Sequence, residues 1–168
     1  MDICIFDFNL ASKFIPLVTP IVAICIFKKW KKQKGSEVIA NESKEAIKDL
    51  LELSVINLNI VYEGSKSKTE LESKLSRFKE VSEKAHRAML FLNTDQNVVK
   101  LGQLLPEYFI NKESVYHPIK NVVGCSDEMQ IVEFIQLEGT KQNTLRLNKC
   151  IDKLITILYP YSIYKKTI

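Results

Sequence analysis

The stretch Phe14-Ile15-Pro16-Leu17-Val18-Thr19-Pro20-Ile21-Val22-Ala23-Ile24-Cys25-Ile26-Phe27 carries no charge, and Lys28-Lys29-Trp30-Lys31-Lys32-Gln33-Lys34 follows at once. As a helix the uncharged run would rise about 21 Å, short of the roughly 30 Å of bilayer hydrocarbon, so a crossing must draw on its neighbours. We therefore expect a single transmembrane helix over residues 10–30, reaching back to Leu10 and forward to Trp30. Lys13 can extend its ammonium to the headgroups, and Trp30 suits the interface. Pro16 and Pro20 each remove a backbone donor and predict a kink in the outer half, a defect that membrane helices tolerate better than water-exposed ones.

The flanks set the orientation. Asp2 and Asp7 precede the run, and five lysines follow it. The excess of positive charge predicts a short exterior N-terminus at 1–9, a basic junction at 31–35 and a cytoplasmic body at 36–168. Lys28, Lys29, Trp30, Lys31 and Lys32 are the expected membrane-interface residues, with the lipid bilayer as partner. A cleaved signal peptide would place its positive charge before the apolar run and small residues after it, the reverse of this order. Val22-Ala23-Ile24-Cys25 has the outline of a lipoprotein cleavage box, but Ile24 is bulky where such boxes need a small residue. A buried core helix could also use fourteen apolar residues, yet the lysines directly behind it oppose that reading.

Composition restricts the rest. Of 168 residues, 46% are hydrophobic and 26% charged, which suits one folded domain. The net charge of +4 belongs to residues 1–35, and the remaining 18 basic and 18 acidic side chains cancel. A nucleic-acid partner is therefore not expected, since phosphate binding needs the positive charge on the folded body. Only three arginines are present, so bidentate phosphate donors are scarce as well. Cys4, Cys25, Cys125 and Cys150 show no C-x-x-C spacing, which argues against a zinc site and fits free thiols in a reducing compartment.

The body reads as helical hairpins. Ile39, Ala46, Ile47, Leu50, Leu51, Leu58 and Val61 recur at helical steps up to about Tyr62. A turn is expected at 64–68, after which Thr69 and Glu72 have capping-box spacing. Leu71, Leu75, Phe78, Ser82, Ala85, Met89 and Leu92 form a narrow seam suited to an antiparallel hairpin. Asp95 can cap a third helix that Pro106 should end. Residues 106–125 then read as one long aromatic loop packed over the bundle. From Ser126-Asp127-Glu128 a last helix is expected to run to Tyr159, bent near Gly139, with Pro160 as its stop. The tail from Tyr161 to Lys166 is aromatic and basic, suited to headgroups. The expected fold class is thus all-α: the N-terminal transmembrane helix followed by a cytoplasmic antiparallel helical bundle of about four helices.

Signs of chemistry are sparse. Glu83 and His86 have E-x-x-H spacing, but a carboxylate-bridged metal site needs a second copy, and His117 stands before Pro118 without one. The seam uses Ala85 and Met89, which leaves Glu83 and His86 to solvent. No phosphate-cradling, zinc-hydrolase or nucleophile-elbow motif occurs, so no catalytic, cofactor or metal residue is assigned and a protein without catalysis is favoured. Tyr108, Phe109, Tyr116 and His117 are the candidate partner-binding residues, because aromatic side chains carry large contact area at modest entropy cost. These features point to a membrane-anchored interaction module, a scaffold or adaptor for an unidentified protein or a second copy. The alternative is a membrane-active, pore-forming effector restrained by its helical body.

Overall fold

The computed structural model describes residues 8–63, 67–94 and 99–163, with side chains described from Pro20 onward in the first helix. Five helices and no strand occur among these residues: α1 (Phe8–Tyr62), α2 (Lys68–Asn93), α3 (Val99–Cys125), α4 (Glu128–Gln136) and α5 (Glu138–Ser162).

Four of the helices form an up-and-down bundle, and individual contacts fix its register. Arg77 bonds Glu52, and Lys84 reaches Asp49 at 3.1 Å, so α2 runs antiparallel to α1. Gly102 faces Asn93 while Tyr116 stacks on Phe78, which reverses the direction again in α3. Glu107 pairs with Lys153 and Ser114 with Asn143, so α5 returns beside α3. Asn57 closes the ring, donating to the Thr144 carbonyl at 3.0 Å and to Asn148 Oδ1 at 2.8 Å. A buried amide held by two acceptors fixes how α1 and α5 slide past each other more narrowly than apolar contacts do.

The α2 seam is buried at every expected position, with Val81 added. Its cap differs from the capping box expected at Thr69: Ser67 accepts from the Glu70 amide, because Ser67 has the extended backbone a cap requires. Asp127 caps α4 as expected, accepting from Gln130 N at 2.9 Å. On α1, Ala46, Leu50 and Val61 are buried but Leu51 is exposed, and Leu53, Asn57 and Ile60 complete the inner stripe. The expected Asp95 cap, residues 64–66 of the turn and the tail from Tyr164 lie outside the described residues.

The long aromatic loop expected at 106–125 is a correction. α3 passes through both Pro106 and Pro118 and ends at Cys125. Leu101, Leu105, Tyr108, Val115, Ile119 and Val123 are all buried, and that stripe at steps of three, four and seven outweighs two missing donors. Each proline strands the carbonyl four residues earlier. For Pro118 that is Ser114, whose carbonyl takes a 3.3 Å bond from Asn143 Nδ2 of α5. Asn143→Ala should cost about 1 kcal/mol. In a Pro118→Ala background the restored amide should absorb most of that cost, a coupling that a double-mutant cycle of urea unfolding measures.

The single last helix is also corrected. The chain breaks at Leu137, where ψ is 138°, so α4 and α5 are separate, and α5 continues through Pro160 to Ser162. Gly139 lies inside α5 rather than at the bend. At the other end, α1 crosses the basic junction at 31–35 and Gly35 without interruption. From Pro20 through Gly35 every residue of α1 is exposed. Among the described residues no helix is long and apolar enough to cross a membrane. The expected span at 10–30 takes 10–19 from a stretch whose side chains are not described, and Lys28 follows only eight residues after Pro20.

Candidate interaction surface

Because residues 106–125 are helical, the four candidate partner-binding residues fall on one helix, two turns apart in pairs. A step of one residue turns a side chain by about 100°, so neighbours in each pair face differently. Tyr108 is completely buried, and its hydroxyl donates to the Ser82 carbonyl of α2 at 3.1 Å. Burial holds that phenol well above its ordinary pKa, which leaves Tyr108 as a neutral core residue. Phe109 beside it is 48% exposed. Tyr116 is half-buried and stacks on Phe78 at 6.1 Å, while the His117 side chain is exposed.

Residues between the two pairs join them into one surface. The Lys112 ammonium lies 4.8 Å from the Phe109 ring centroid and 2.6 Å from Glu113. Glu113 also receives His117 Nε2 at 2.7 Å, and Lys120 sits 5.7 Å from the Tyr116 centroid. The result is a ladder of rings and ammonium groups along α3, in which Phe109 and Tyr116 each have a cation near the ring. Such a surface combines apolar area with fixed charges, as protein recognition patches do.

His86 of α2 belongs to this surface rather than to solvent, which corrects the sequence expectation. Its ring lies 6.1 Å from Tyr108 and 6.0 Å from Phe109, and Nδ1 is buried without a hydrogen-bond partner among the described residues. Burial, helped by the Lys112 ammonium, lowers its pKa below 6.5. The unfolded histidine titrates near 6.5 and therefore binds a proton before the folded one does. Stability from this site is full above about pH 6.5 and falls as pH drops through the interval down to the folded pKa. Urea unfolding at pH 7.5 and 5.5 should show a loss on acidification that His86→Gln reduces. An identical loss in the variant would remove His86 from the explanation.

Lys112, Glu113, Lys120 and His86 were not read from the sequence as part of this surface. The signal available was the α3 stripe itself: once Tyr108 and Val115 are placed inward, Phe109, Lys112 and Tyr116 fall along its border. The other expected contact group, Lys28, Lys29, Trp30, Lys31 and Lys32, is exposed on α1, with Phe27 and Trp30 stacked at 6.1 Å. No group of metal-ligating side chains occurs among the described residues, and Glu83 pairs loosely with Lys79 instead of with His86. The Cys150 thiol is pushed up to about 11 by burial and then by Glu107, so at neutral pH it is protonated and inert.

Two grooves flank α5. One, of about 490 Å³, is lined by Val115, Pro118, Phe134, Leu137 and Asn143 at the α4–α5 break. The other, of about 530 Å³, lies between Glu107 and Asn111 of α3 and Arg146, Lys149 and Lys153 of α5. Comparison with protein-family models, characterised proteins and solved structures finds no match for this chain.

Proposed function

We propose that this protein is a membrane-anchored helical interaction module, with no catalytic role assigned. Residues 10–30 cross the bilayer as one helix, 1–9 lie outside, 31–35 sit at the inner surface, and 36–168 form the cytoplasmic bundle. Phe109, Tyr116 and His117 present the ladder surface to a protein partner or a second copy, with Lys112 buried beneath Phe109.

One observation carries the anchoring. Ile21, Val22, Ile24, Ile26 and Phe27 are 48–63% exposed on the part of α1, from Pro20 to Gly35, in which every residue is exposed. Leaving five such side chains in water forgoes on the order of 5–10 kcal/mol, comparable to the whole stability of a typical domain. A surface that large marks a membrane or protein contact, and the lysines behind it favour the edge of a bilayer.

Photo-crosslinking in native membranes tests the module. A benzoylphenylalanine at position 109 or 117 of the full chain should trap one discrete protein adduct, while the same probe at position 129 on α4 should not. Equal background labelling from all three positions contradicts the assignment of the surface.

A further inference from the structure

The groove between α3 and α5 differs in charge from the body that carries it. Ile110 on its rim is 66% exposed, more than any other large apolar side chain of α3. Glu107, Asn111, Arg146, Lys149 and Lys153 complete the lining. Three bases against one acid leave the groove a net +2, within a body whose 18 basic and 18 acidic side chains cancel. Glu107 is already held by Lys153 at 2.9 Å, and Glu113, the next acid on α3, by Lys112 at 2.6 Å and His117 at 2.7 Å. Asp152 follows Asn148 by one turn, on the flank of α5 that meets Asn57 of α1. Arg146 and Lys149, both exposed, pair with no acid among the described residues.

We propose that this groove binds an acidic amphipathic helix of a partner protein, with carboxylates on Arg146 and Lys149 and an apolar side chain on Ile110. The inference rests on the reading of the body as an interaction module and gives a second face of that module a partner of defined chemistry. Arg146, Lys149 and Lys153 stand at steps of three and four, so they share one face of α5 over a rise of about 10 Å. That is wider than one phosphate or carboxylate, and it matches acids carried at the same steps on another helix. A groove between two packed helices takes a third along its length, where apolar anchors hold the partner and charges at the edges select it. Arg146 adds a planar fork that a carboxylate can meet with two bonds. Lys153 stays with Glu107 and offsets its charge, so the one acid in the groove does not repel the incoming helix. Nucleic acid suits the site less, because a phosphate backbone would meet only two unpaired cations on a neutral body.

The test uses the full chain in uncharged detergent and a fluorescein-labelled helical peptide of about sixteen residues, in which glutamates at steps of three and four lie beside a row of leucines. Fluorescence anisotropy should show saturable binding that weakens at least about tenfold when Arg146→Glu and Lys149→Glu are combined. Both positions are exposed, and circular dichroism reports that the variant remains helical. A second peptide with lysine in place of each glutamate should bind this double variant more tightly than it binds the parent, a reversal that a misfolded variant would not give. Ile110→Ser, also at an exposed position, should weaken the first peptide about threefold or more. The proposal is overturned if a scrambled peptide of the same composition binds the parent equally well, or if the charge reversal leaves affinity unchanged. It is also overturned if an oligouridylate of equal charge displaces the peptide, which assigns the groove to nucleic acid, or if the parent self-associates in sedimentation and the double variant does not, which assigns it to a second copy. The ladder is read separately: discrete adducts from positions 109 and 117 without peptide binding refute the groove alone, and peptide binding without those adducts refutes the ladder alone.

Discussion

Tyr108→Ala is expected to lower unfolding stability by about 3–5 kcal/mol, whereas Phe109→Ala one position on should cost under about 1 kcal/mol. Tyr108 is completely buried, and its hydroxyl holds the Ser82 carbonyl of the neighbouring helix. Truncation opens a cavity and removes that inter-helix bond together, leaving the Ser82 carbonyl with its bond inside α2. Tyr108→Phe separates the two effects, since it keeps the ring and should lose only about 1 kcal/mol for the hydrogen bond. Phe109 is half exposed and rests over His86 and the buried Lys112, so its removal should weaken partner binding rather than folding. Urea unfolding with an unchanged slope measures all three. Equal losses at 108 and 109 would mean that residues 106–125 do not form the helix described.

The second large effect concerns α1. Ile21→Asp together with Ile24→Asp should release the protein from membranes. Each carboxylate placed near mid-bilayer costs about 2.5–3.5 kcal/mol on insertion scales, and the pair removes on the order of 5–7 kcal/mol from the anchoring. Both positions are exposed and touch nothing in the bundle, so the body should unfold at an unchanged urea concentration. Cell fractionation of the variant beside the parent gives the first readout, and urea unfolding in detergent gives the second. A double variant that remains with the membranes would move the anchoring elsewhere in the chain. One that loses bundle stability would mean this segment packs against protein.

The helical body was legible because its seams are periodic. Leu71 to Leu92 and Leu147 to Leu158 are spaced as helix cores require, and their members are buried. Residues 106–125 were misjudged because Pro106 and Pro118 are local signals of a stop, whereas the stripe from Leu101 to Val123 spans the whole helix. Packing along six turns outweighed two missing donors, one of whose stranded carbonyls is met by Asn143. The break at Leu137 has no local marker, since the nearby Gly139 is helical. Within the candidate surface, Phe109, Tyr116 and His117 could be named from their chemistry. The burial of Tyr108 depended on the face of a helix not expected to exist, and the placement of His86 depended on which helix lies against α2.

The most direct measurement is the fate of the full chain when membranes from expressing cells are washed in alkaline carbonate and sedimented at high speed without detergent. A helix held in lipid keeps the protein in the pellet, and detergent then releases it. Recovery of the intact, folded chain in the carbonate supernatant would contradict the anchor.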